Sequence, residues 1–186
     1  MTSDEILLDA EERMEKAVKY LSDELRGIRT GRANPALVET LRVECYGSTM
    51  QLRQVAAISA PDAHQLLIRP YDPTTLKDIE CAIQTSELGL TPQSDGKVIR
   101  LTIPPMSGEQ RQKLVARVKK LTEEAKVAIR NIRRDANKHF DQEQKAKTMS
   151  EDECERGKKQ VQELTDDYEA RAQALADRKT AEILEE

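Results

Sequence analysis

The chain has 186 residues, of which 34% are charged and 38% apolar, with no Trp, a single Phe and a formal net charge of −4. That composition suits long, solvent-washed helices better than an enzyme built around a deep apolar core. No apolar run approaches the roughly 18 residues of a membrane-spanning helix, and the acidic opening stretch is the wrong charge for a secretory or mitochondrial leader, so a soluble, cytoplasmic protein is expected.

Thr2 and Glu5 form a capping box ahead of a heptad-like run, Leu7, Ala10, Met14, Ala17, Leu21, Leu25 and Ile28, closed by Gly31. This predicts a first helix of roughly 40 Å at 1.5 Å per residue. The pattern then changes. Leu41, Val43 and Cys45 alternate, Tyr46-Gly47-Ser48-Thr49 reads as a turn, and Met50 and Leu52 alternate again. Leu66-Leu67-Ile68 is a strand ending at Pro70. Asp72-Pro73 is an N-cap with proline at the first helical position, followed by Leu76, Ile79 and Ile83. Gly89 and Pro92 break the chain, and Ile99, Leu101 and Ile103 alternate as a last strand. Residues 31–105 are therefore expected to form a small α+β domain, a β/α/β sandwich inserted into a helical domain of residues 1–30 and 106–186.

Two tethers would carry it, Thr30-Gly31-Arg32-Ala33-Asn34-Pro35 and Pro104-Pro105-Met106. Gly31 tolerates positive φ, and Pro35, Pro104 and Pro105 stop the flanking helices from running through. With Arg32 these residues are the expected two-stranded hinge.

A second helix should run from Ser107, paired with Gln110 in another capping box, to about Lys147. Its apolar seam is Leu114, Val118, Leu121, Ala125, Ala128 and Ile132. With Val118 at heptad position a and Leu121 at d, the b and c columns hold Gln112/Lys113, Lys119/Lys120, Lys126/Val127 and Arg133/Arg134. Six of those eight positions are cationic, and Arg130 at f widens the stripe. From Arg111 to Lys138 ten Lys and Arg face three Asp and Glu. So dense a basic stripe on an acidic chain reads as a footprint for a polyanion.

Ser150 and Glu153 open a third helix with Val161, Leu164, Tyr168, Ala172, Leu175 and Ile183 along one face. The short junction at Thr148-Met149 makes it antiparallel to the second. Three amphipathic helices of similar length are expected to bury their stripes together in a long antiparallel three-helix bundle.

Catalytic signatures are lacking. There is no Walker A, GxGxxG, HExxH or GxSxG pattern. His64 and His139 fall in different expected domains, and no nucleophile sits beside a base. Cys45, Cys81 and Cys154, odd in number and without CxxC spacing, fit free thiols in a reducing compartment. The expectation is a non-enzyme with no catalytic residues, metal or cofactor.

Several stretches carry a resemblance. They are Ile28-Arg29-Thr30-Gly31-Arg32-Ala33-Asn34-Pro35, Tyr46-Gly47, Ile68-Arg69-Pro70-Tyr71-Asp72, Leu88-Gly89-Leu90-Thr91-Pro92 and Asp95-Gly96 with Ile99-Arg100. Most diagnostic is Arg130-Asn131-Ile132-Arg133-Arg134-Asp135-Ala136-Asn137, followed by Ser150-Glu151-Asp152 and Gln162-Glu163-Leu164-Thr165-Asp166. In this order and spacing the chain resembles the bacterial ribosome recycling factor family along essentially its whole length.

The resemblance implies an L-shaped monomer whose bundle lies on large-subunit ribosomal RNA and whose small domain is pushed by elongation factor G. GTP hydrolysis by that partner would then split the post-termination ribosome into subunits, with the hinge absorbing the rotation. It implies no small-molecule substrate and no membrane. Arg133 matches the family position tied most directly to rRNA, flanked by Arg130 and Arg134, and Arg29 and Arg32 match the arginines of the hinge motif. For Arg29 an intramolecular salt bridge is an equal alternative. Lys113, Lys119, Lys120 and Lys126 join the rRNA-binding set from the stripe alone. Cys45 and Ser107-Gly108-Glu109-Gln110-Arg111 depart from the usual pattern, away from the arginine motif. A rival reading, a coiled-coil co-chaperone or adaptor, leaves the basic column without a purpose; an RNA-modifying enzyme lacks a catalytic group.

Overall fold

Helix α1 (Ser3–Arg26) begins where the capping box places it. The Thr2 hydroxyl accepts the Glu5 N–H at 3.2 Å and the Glu5 carboxylate accepts the Thr2 N–H at 2.8 Å. It stops a turn earlier than expected, at Gly27 rather than Gly31, where a glycine withdraws helix propensity. Ile28 stays buried although it lies outside the helix. The computed structural model describes residues 1–185, and the chain divides into two compact units, Met1–Arg29 with Gly108–Glu186 and Thr30–Ser107.

The first unit is a bundle of α1, α5 (Gly108–Lys145) and α6 (Glu151–Leu184), each packed on the other two. The α5–α6 connection is short: Lys147 takes φ 58°, and Ser150 opens α6 with a reciprocal cap to Glu153. Among the described residues no helix is long and apolar enough to cross a membrane.

The seam of α5 differs from the expected one. Val118, Ala125 and Ile132 are buried as predicted, but Thr122 and Ile129 are buried where Leu121 and Ala128 were expected. A helix that packs against two neighbours must bury a wider arc than an a/d stripe, and α5 turns its e column inward. Leu121, half-buried against the bundle core, and the half-buried Ala128 lie at its margin, where they line an open groove of about 580 Å³ with Ala17, Tyr20 and Leu21 of α1. The buried hydroxyls of Thr122 and Thr165 donate back to Val118 and Val161 carbonyls at 2.7 and 2.8 Å, so neither is left unsatisfied. Near the turn Phe140, fully buried, lies directly over the buried Gly157 of α6.

The second unit opens with a one-turn helix α2 (Ala36–Glu39) and a hairpin of β1 (Arg42–Cys45) and β2 (Ser48–Gln51), registered Arg42↔Gln51 to Cys45↔Ser48. Only Tyr46 and Gly47 turn, with φ 54° and 73°, as a two-residue loop of this twist requires. Ser48 and Thr49 are therefore strand, and Leu52 begins a single turn, α3 (Leu52–Val55), rather than continuing the strand. A four-stranded antiparallel sheet follows, ordered β3 (Ala56–Asp62), β4 (Gln65–Pro70), β6 (Ile99–Thr102) and β5 (Pro92–Ser94). The two strands absent from the sequence reading are its edges. Each carries a proline, Pro61 and Pro92, which an edge tolerates because no ladder donor is needed there.

Between sheet strands lies α4 (Leu76–Thr85), entered through a 3₁₀ turn at Pro73–Thr75 that Asp72 caps by accepting the Thr74 N–H at 3.0 Å. Ile79, Ile83, Leu66, Ile68 and Leu101 are all fully buried in this unit's own core. Of the cysteines, Cys45 and Cys154 are buried, Cys81 is exposed, and all three are free.

The exposed Tyr46 hydroxyl donates to Asp72 Oδ2, joining the hairpin turn to the start of α4. That bond, with help from the Thr74 N–H, holds the Asp72 carboxyl below its ordinary value of 3.8. A depressed carboxylate pKa contributes stability above the unfolded pKa and loses it as the pH falls through the folded one. Tyr46→Phe is accordingly expected to move the Asp72 titration midpoint upward in an NMR carboxyl titration, leaving that of Asp95, whose carboxyl is held down by the Val98 and Lys97 N–H groups, where it is. An unmoved Asp72 midpoint would show that the tyrosine bond is not formed in solution.

Candidate nucleic-acid interface

The outer side of α5 carries the predicted cations, and the structure sorts them into two rows. Lys119, Lys120 and Arg134 are exposed and make no hydrogen bond or ion pair among the described residues. Lys113 is also exposed and pairs along its own helix with Glu109 at 3.3 Å. Such an i,i+4 pair in solvent restrains the charge only weakly. These four are free to meet an anion.

The other three lean onto α6, which the sequence reading, placing all of them on an outward face, did not foresee. Lys126 Nζ donates to Gln173 Oε1 at 2.7 Å. Arg130 Nε donates to Glu169 Oε1 at 2.7 Å, and its Nη1 to Glu123 Oε1 at 3.2 Å. Arg133 Nη1 donates to Gln162 Oε1 at 3.0 Å, and Gln162 in turn donates to Asp166 at 2.8 Å. Lys158 and Asp141 add a further rung nearer the turn, at 2.5 Å. The bond to Glu169, followed by that carboxylate's charge, raises the Arg130 pKa.

Gln162, Glu169 and Gln173 are thus the residues sequence reasoning missed. A signal existed, because in an antiparallel pair each partner sits about as far beyond the Thr148–Met149 turn as its mate sits before it. Amide partners leave the charges of Lys126 and Arg133 intact, whereas the two carboxylates offset that of Arg130.

The remaining predicted residues lie elsewhere. Arg29 is exposed at the end of the first unit and has no ion pair among the described residues. Arg32 is half-buried in the second unit. Gly31 takes φ +76°, and a Cβ there would come within 3.3 Å of the Met106 side chain. Pro35 adopts φ −51° at the start of α2, and Pro104 and Pro105 lie in the segment without regular structure between β6 and α5.

A family model, ribosome recycling factor, matches residues 21–184. The chain belongs to the ribosome recycling factor family. The ribosome-recycling factor of Rhodopirellula baltica is 66% identical over 138 residues, 74% of each chain. That of Symbiobacterium thermophilum is 51% identical over 181 residues, covering 97% of this chain and 98% of its own. The solution structure of a ribosome recycling factor superposes with a TM-score of 0.77 at 41% identity, covering 98% and 97% of the two chains. The T. thermophilus ribosome recycling factor, placed with E. coli elongation factor G on the E. coli post-termination complex, matches over the full length of both chains at 42% identity and TM-score 0.65.

Proposed function

We propose that this chain binds the post-termination ribosome through the outer row of α5 and, with elongation factor G and GTP hydrolysis, splits it into subunits. Family membership supports the recycling role. The observation that carries the RNA contact is the row of unpartnered cations, Lys119, Lys120 and Arg134, beside the amide-held Arg133 on a chain of net charge −4. Charge segregated this way favours a phosphate backbone over an adaptor's protein partner, which has no use for a row of unpaired cations on one side of the helix. The helical unit would lie on large-subunit rRNA, while the small unit takes the push of the GTPase. Gly31, Arg32, Pro35, Pro104 and Pro105 would form the hinge, Gly31 through its positive φ and the prolines by denying helix continuation. The factor would act in the cytoplasm as a monomer, without catalysing a reaction itself.

Light scattering of post-termination ribosomes mixed with this protein, elongation factor G and GTP tests the proposal. A drop in scattering that requires every component is expected. A rigid crosslink between the two units should leave subunit binding intact and abolish the drop. Splitting by the crosslinked protein would rule out the lever.

A further inference from the structure

We infer that Glu123 and Glu169 are positioning residues that withhold Arg130 from phosphate and present its guanidinium plane to an RNA base. The inference rests on the reading of α5 as the RNA face. Arg130 is gripped from two elements, by Glu169 of α6 at Nε and by Glu123, two turns back on α5, at Nη1. Grips from two directions fix the plane as well as the position. Two carboxylates beside one guanidinium leave a local charge of the wrong sign for a phosphate, which would have to approach both at close range. The Arg130 side chain is nevertheless 40% exposed. Both bonds engage edge N–H groups, at Nε and Nη1, and leave the planar, delocalised faces and Nη2 without a partner among the described residues, the parts of an arginine that stack on a base and bond its edge.

Its neighbours are held differently. Arg133 is tied only to the neutral Gln162, and Arg134 has no partner among the described residues, so both remain phosphate ligands. One motif would then divide the work: Arg133 and Arg134 set affinity and salt dependence, and the clamped Arg130 discriminates unstacked bases from plain backbone.

The test is binding to large ribosomal subunits and to poly(U) over a KCl series. In the Glu123→Gln/Glu169→Gln variant the released Arg130 should take one more phosphate, steepening the log–log salt slope by about 0.7–0.9 and tightening poly(U) binding several-fold. In an Arg130→Gln background the same two substitutions should leave the slope unchanged. Arg130→Lys in the otherwise natural chain should weaken subunit binding about tenfold at constant slope, since lysine keeps the paired charge and loses the plane. An unchanged slope in the double variant would overturn the clamp, as would equal steepening with and without Arg130, which would reduce the carboxylates to background charge. Glu169→Gln alone serves if the double variant melts early. Natural protein that fails to bind subunits would instead overturn the RNA-face reading beneath it.

Discussion

Gly157→Ala is expected to lower the melting temperature of the helical unit by roughly 8–15 °C, a loss of about 2 kcal/mol. Helix propensity alone predicts the opposite, since alanine in a helix interior is favoured over glycine by about 1 kcal/mol. Packing decides the sign. A Cβ on Gly157 would fall inside the van der Waals envelope of Phe140 Cε1 and Cζ, and 3.1 Å from Cδ1. Phe140 is fully buried and its ring has no solvent side to swing into. The backbones of α5 and α6 must separate locally or the ring must leave its rotamer, and either costs more than the propensity returns. Gly108, with nothing near its missing Cβ, is the control: Gly108→Ala should be neutral or slightly stabilising. Phe140→Leu in the Gly157→Ala chain should recover part of the loss, so the double variant melts above the sum of the singles. Additive effects in thermal melts would mean that the two residues do not touch.

Gly157 also marks where sequence reasoning stops. Caps, heptads and turn residues are local, so Thr2–Glu5, Ser150–Glu153, the Tyr46-Gly47 turn and the Asp72-Pro73 start were all legible. The edge strands were not. In β3 only Ala56 is buried and Ile58 half-buried, and β5 is three residues long, so neither shows a period of two. Nor was the roll of α5: whether d or e faces inward depends on where two other helices stand. The basic column was visible as charge, but which cations remain free depends on partners 29 to 47 residues away on α6. Sequence supplies the candidates for an electrostatic site; the tertiary partners decide each one's effective charge.

That division sets the expectation for Arg133. Arg133→Ala should weaken binding to large ribosomal subunits by about 10- to 100-fold, the range of one charge-assisted hydrogen bond. It should also make the log–log salt slope shallower by about one. Arg134→Ala should flatten the slope equally yet cost less affinity, because its untethered side chain must lose rotamer freedom on binding, while Arg133 is already held by Gln162. Gln162→Ala separates the two contributions. It removes the tether and no charge, so affinity should fall a few-fold with the slope intact. Alanine is the best helix former, and circular dichroism should report unchanged helicity in all three variants. A salt-insensitive complex in the natural protein would deny that this column meets phosphate at all. A Gln162→Ala variant that flattened the slope would mean that the amide does more than aim its arginine. The expected pattern, equal slopes but unequal affinities for Arg133 and Arg134, would instead trace the difference between two adjacent arginines to a residue on another helix.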